Sequence, residues 1–148
     1  MFSPVPGSTL LYPSGPPNDL HRLHLFVLMT PPGGPAQQVL MVPVTSKHEK
    51  SDGTCAITAG AHEFVTHDSV IEYRHARIEP VQKLLDGVKS GLFVEKSPVT
   101  AELFAKIHAG FFHSKYTKPF ARDFLKLYQL AVPTPTLGKP PSGTPPSA

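Results

Sequence analysis

The sequence predicts a mainly β domain with C-terminal helices, an α+β chain. Three observations predict it. Between residues 24 and 78 the apolar residues come in short runs or loose alternation, separated by Gly, Pro and an Asp-Gly pair. After Pro80 the period changes, and apolar residues recur at helical spacing. The chain has 148 residues, enough for one sizeable core and too few for two. The economical arrangement is a small, strongly bent barrel covered by one or two helices.

Eighteen prolines are far above average, and many precede Asp19 or follow Val132. Residues 1–18 therefore read as an extended Pro-rich arm, with Leu10, Leu11 and Tyr12 able to dock. Residues 19–131 read as the single domain and 132–148 as a flexible Pro-rich tail.

Within the domain, His21–Met29 reads as a strand that enters from the surface and becomes wholly buried. Thr30–Pro35 (TPPGGP) is a loop between paired strands, and Val39–Val44 is the second strand. Pro43 lacks a backbone donor, which places that end at an edge or a bulge. A polar loop follows, with a turn at Asp52–Gly53. Cys55–Ile57 is a short third strand and His62–Val65 a candidate fourth. Ser69–Ile78 is the longest, although Val70, Ala76 and Ile78 share a face with Glu72 and Arg74, so a bulge or two-sided burial is needed.

Pro80–Leu85 gives one or two helical turns before Asp86–Gly87, and Gly91–Val94 a last strand. Ser97–Pro98 reads as a helix start leading to Leu103, Phe104, Ile107, Phe111 and Phe112. Thr117-Lys118-Pro119 starts another, with Phe120, Phe124 and Leu127 on one face, widened by Leu125 and Tyr128.

Composition narrows the function. One cysteine excludes an internal disulfide and suits a reducing compartment, and Cys55 reads as a small buried residue. No basic segment precedes an apolar run at the N-terminus, and Leu25–Met29 is too short to span a membrane, so a cytoplasmic protein is expected. A net charge of +3 permits an anionic partner. His21-x-x-His24 and His62-x4-His67 put their imidazoles on opposite faces of a strand, so no metal or other cofactor is expected. TPPGGP has no following Lys-Ser/Thr and is not a phosphate loop.

The titratable residues His24, His62, His67, His75, Glu72, Arg74 and Arg77 lie on or beside expected strands. RNA cleavage without a metal needs a base for the 2′-hydroxyl, an acid for the leaving oxygen and a cation at the phosphate. Imidazole titrates near neutrality, and guanidinium holds phosphate through a fixed fork. Glu72 or His67 is the expected base, with Arg74 on the phosphate and Thr45 and Ser46 as hydrogen-bond donors. Lys115–Lys118 and Arg122–Tyr128 combine basic and aromatic residues that can meet a nucleic-acid backbone or simply form a solvated helix face.

Two apolar stretches, HLFVLMT (His24–Thr30) and VLMVPVTS (Val39–Ser46), resemble consecutive strands of the PemK/MazF-like toxin family. HDSVIEYRHARIE (His67–Glu79) resembles that family's long strand. GLFV followed by a helix resembles its closing segment. The likeness spans most of residues 23–112. It implies an SH3-like barrel, an endoribonuclease of a toxin–antitoxin pair, RNA as substrate, an antitoxin partner and a homodimer. It places Thr45, within Pro43-Val44-Thr45-Ser46, by the cleavage site, and matches Arg77 to an Arg near the long strand's end. The family's Arg-Pro pair is missing near Leu23–His24, where His24, or Arg22 after a one-residue slip, must substitute. Its Arg-x-Asp pair is reversed, as Glu72-Tyr73-Arg74. The resemblance thus leaves a second function open, a non-catalytic barrel binding RNA or a protein. Catalytic candidates are Thr45, Glu72, Arg74 and His67; substrate-binding candidates are His24, Ser46, His75 and Arg77. The enzyme requires Thr45 and Arg74 at one mouth.

Overall fold

The computed structural model describes residues 2–129 and is mainly β with C-terminal helices. Seven strands form one antiparallel sheet: β1 (Thr9–Pro13), β2 (Leu23–Leu28), β3 (Gln38–Ser46), β4 (Ala56–Ile57), β5 (Ser69–Ile71), β6 (Arg77–Pro80) and β7 (Val94–Lys96). Three helices accompany them: α1 (Val81–Ser90), α2 (Ala101–Gly110) and α3 (Pro119–Tyr128). The sheet runs β4-β5-β3-β2-β1-β7, with β6 beside β5 on the same edge of β3. It is open: β4 and β7 stand at its ends, so the expected closure into a barrel is not realised.

β2 and β3 read as continuous apolar runs because both of their faces are buried. Leu25, Val27, Leu40, Val42 and Val44 join Ile107 and Phe111 near α2 and Ala121 and Leu125 of α3. The alternate residues Phe26, Leu28, Val39 and Met41 meet Leu84 of α1 and Phe93 on the other face. The period of two sorts one apolar stretch into two cores.

The N-terminal segment is not an arm outside the domain. β1 lies between β2 and β7, with Leu10, Leu11 and Tyr12 buried. Its prolines flank the strand rather than interrupt it, with Pro4 and Pro6 before it and Pro13 at its last position. The expected 132–148 tail lies outside the described residues.

The long strand expected over Ser69–Ile78 is split. β5 pairs with Val44–Ser46 and β6 with Gln38–Met41, and a 3₁₀ turn at Tyr73–His75 separates them. Pro43 explains the split. Its carbonyl accepts from Glu72 N–H at 2.9 Å, so its missing donor faces the same partner segment, which leaves the ladder there. Tyr73 fastens the turn, wholly buried and edge-on to Phe111, with its hydroxyl donating to Ile107 O at 2.8 Å.

Other boundaries move for local reasons. α1 continues through Asp86–Gly87, where the glycine makes room for Phe93: a Cβ there would meet its ring at 2.1 Å. It stops at Gly91, whose φ is +86°. The last strand accordingly falls at Val94–Lys96. α2 is capped by Thr100, whose Oγ1 accepts from Leu103 N–H, and not by Ser97. His62–Val65 is a loop instead of a strand. On α3, Ala121 and Leu125 are buried while Phe120 and Leu127 are exposed, so the apolar face is rotated from the expected one.

Candidate functional site

The break in the long strand opens a cleft of about 590 Å³. His24 and Phe26 of β2, Pro43 and Thr45 of β3, the turn residues Glu72–Ala76 other than Tyr73, and Arg77 of β6 line it. Strand alternation alone does not align Glu72, Arg74 and His75. The 3₁₀ turn does so by burying Tyr73 and leaving its neighbours outward.

Thr45 and Arg74 share this mouth, as expected. Glu72, His24, His75 and Arg77 share it too. Ser46 and His67 do not. They line a smaller cleft of about 100 Å³, where Ser46 Oγ and His67 Nε2 lie 2.7 Å apart. Arg22, His24 and Thr45 line both clefts and join them. His62 lies elsewhere, buried, with Nε2 donating to Ser97 O and Nδ1 accepting from Phe64 N–H.

The main cleft is cationic: Arg22, Arg74, Arg77 and Lys118 line it against the single carboxylate of Glu72. Arg74 lies over the Tyr116 ring at 4.5 Å. Arg77 sits over Tyr12 at 4.8 Å, and its Nε lies 3.2 Å from Glu79. Buried Glu79 is also held by Tyr12 and Lys83, tying the cleft floor to α1. Glu72 Oε2 is 3.9 Å from His75 Nδ1. Beside the cleft, burial would raise the Asp52 carboxyl, but hydrogen bonds from Ser114 and Thr54, together with Arg74, outweigh it and hold the group below its ordinary range.

His24 is half-buried and titrates below an ordinary histidine. Burial is the main cause, and the positive charges of Arg22 and His75 add to it, while Glu72 opposes them. It is therefore neutral at pH 7. Its Nδ1 lies 2.9 Å from Ser14 Oγ, and when Nδ1–H donates there, Nε2 is left to take a proton.

Ser14, Lys118 and Phe120 are cleft residues that the sequence-based candidates omit. Ser14 falls in the proline-rich segment, and periodicity places Phe120 on the apolar face of its helix. Lys118 alone carried a signal, as part of the basic-aromatic stretch Lys115–Lys118.

Among the described residues, no three His, Cys, Asp or Glu side chains converge as metal ligands. Cys55 is buried in the core, and burial pushes its thiol up, unlike a reactive cysteine. No helix among these residues is long and apolar enough to cross a membrane. No protein-family model and no curated protein matches this chain.

Proposed function

We propose that the protein is a metal-independent endoribonuclease of PemK/MazF-like character, whose reaction centre is the cationic cleft. One observation carries the proposal: two histidines, a threonine, a carboxylate and three arginines from separate chain segments meet in a single cleft of nucleotide size.

His24 Nε2 takes the proton of the ribose 2′-hydroxyl, and the 2′-oxygen attacks the adjacent phosphorus. His24 keeps Nε2 for this proton while Ser14 engages Nδ1, and Glu72, 3.9 Å from His75 Nδ1, orients that ring instead of acting as the base. His75 protonates the departing 5′-oxygen, leaving a 2′,3′-cyclic phosphate. Arg74 neutralises charge gathering on the phosphate oxygens, with Thr45 as a further donor. His67, hydrogen-bonded to Ser46 in the smaller cleft, plays no part in proton transfer.

The resemblance in Val39–Ser46 and His67–Glu79 supports a toxin–antitoxin setting: cytoplasmic, homodimeric and restrained by an antitoxin protein. A non-catalytic RNA-binding role is the second reading, favoured by Arg74 lying on Tyr116, an arrangement that serves binding without chemistry.

Incubation of the purified protein with end-labelled RNA in EDTA tests the proposal. Cleavage with 2′,3′-cyclic phosphate ends is expected, with Arg74→Ala slowing it about 100- to 1,000-fold. Retained RNA binding without cleavage would leave the second reading standing. Absence of both would remove RNA as the ligand.

A further inference from the structure

The smaller cleft contains an exposed aromatic side chain on a loop that is otherwise tied down. Phe64 is 40% exposed, yet buried His62 and buried Val65 lie close on either side of it in the chain. His62 is fixed through both ring nitrogens, to Ser97 O and to the backbone N–H of Phe64 itself. Val65 N–H donates to His62 O at 2.9 Å, and Gly60 N–H to Val65 O at 2.8 Å. Glu63 accepts from both Ser97 N–H and its hydroxyl, at 2.8 Å each. Phe64 is thus presented by a preorganised loop, and its exposure does not come from a loose one.

Leu23, 42% exposed, lines the same cleft, as does Arg22. An apolar wall beside a guanidinium suits a flat ring attached to an anionic backbone. Because Arg22, His24 and Thr45 border both clefts, a phosphate held in the larger one leaves its neighbouring nucleoside at the smaller.

Resting on the RNA reading, we propose that the smaller cleft is a nucleobase subsite in which the base next to the scissile phosphate stacks on Phe64. Phe120, 46% exposed on the wall of the main cleft, is the platform for the base on the other side. The smallest ligand that fills the site is then a dinucleotide, and a mononucleotide fills half of it.

Calorimetric titration of the full chain with a 2′-O-methyl dinucleoside monophosphate, which cannot be cleaved, and with the matching 3′- and 5′-mononucleotides tests this. The dinucleotide is expected to bind more tightly than either mononucleotide. Phe64→Ala should weaken the dinucleotide roughly 5- to 150-fold, the weight of one base–aromatic stack, and leave unchanged the mononucleotide whose base lies on Phe120. Thermal melting checks that the variant is folded. Equal affinities for dinucleotide and mononucleotide, or a dinucleotide affinity untouched by Phe64→Ala, would overturn the subsite while leaving the main cleft as the RNA site. If none of these ligands binds the wild-type chain, the RNA reading falls and the subsite falls with it.

Discussion

His24 shows how a single side chain takes its protonation state from the neighbours the fold gives it, some of them remote in sequence. Burial and the nearby charges of Arg22 and His75 favour its neutral form, and Ser14 engages one ring nitrogen. In the proposed nuclease the base must be deprotonated to act, so the cleavage rate should fall as pH drops through the His24 pKa, below the usual value of about 6.5. Arg22→Gln removes a repulsive charge and lets that pKa rise. The acid limb of the kcat/KM–pH profile should then move to higher pH, and a limb that stays in place would take His24 out of the base's role. At this scale the meeting of Thr45 and Arg74 at one mouth was anticipated from the sequence, and Glu72 and His75 were candidates because titratable side chains cluster between residues 67 and 79. Ser14 was not, since an ordinary serine in a proline-rich stretch carries no chemical signature until β1 is paired.

At the scale of elements, the turn between β5 and β6 gives the cleft its wall, and α2 holds that turn. Gly110 ends α2 against Tyr73, and a Cβ there would lie 1.8 Å from the tyrosine hydroxyl. Gly110→Ala gains some helix propensity, but the overpacking against a wholly buried ring outweighs it. The variant should lose about 2 kcal/mol of stability, read as a lower urea midpoint with an unchanged slope. RNA cleavage should fall as well, because Glu72 and Arg74 flank the displaced Tyr73. The two central strands were plain in the sequence, since burial of both faces leaves unbroken apolar runs in His24–Thr30 and Val39–Val44. The split of Ser69–Ile78 was hidden, because its cause is Pro43 on a different strand.

For the molecule as a whole, the N-terminal segment is the instructive case. Leu10, Leu11 and Tyr12 fill both cores from a strand flanked on both sides. Removal of residues 2–13 should cost roughly 5 kcal/mol or more in lost burial, comparable with the total stability of many domains. The truncated chain is expected to lose cooperative thermal unfolding, and a sharp melt near that of the full chain would refute this. Prolines cluster at that end, and composition cannot distinguish a stretch they interrupt from one they merely bracket. The chain's overall class was legible all the same, because alternation gives way to helical spacing after Pro80.

The two registers on β3 count differently. From Met41 to Val44 that strand advances three residues, while the segment opposite advances six, from Ile71 to Arg77. The surplus forms the chemical face of the cleft, and pairing on either side is already complete without it. Provided Tyr73 keeps its anchorage, substitutions within this short span should change which groups line the cleft while leaving the surrounding lattice of strands untouched.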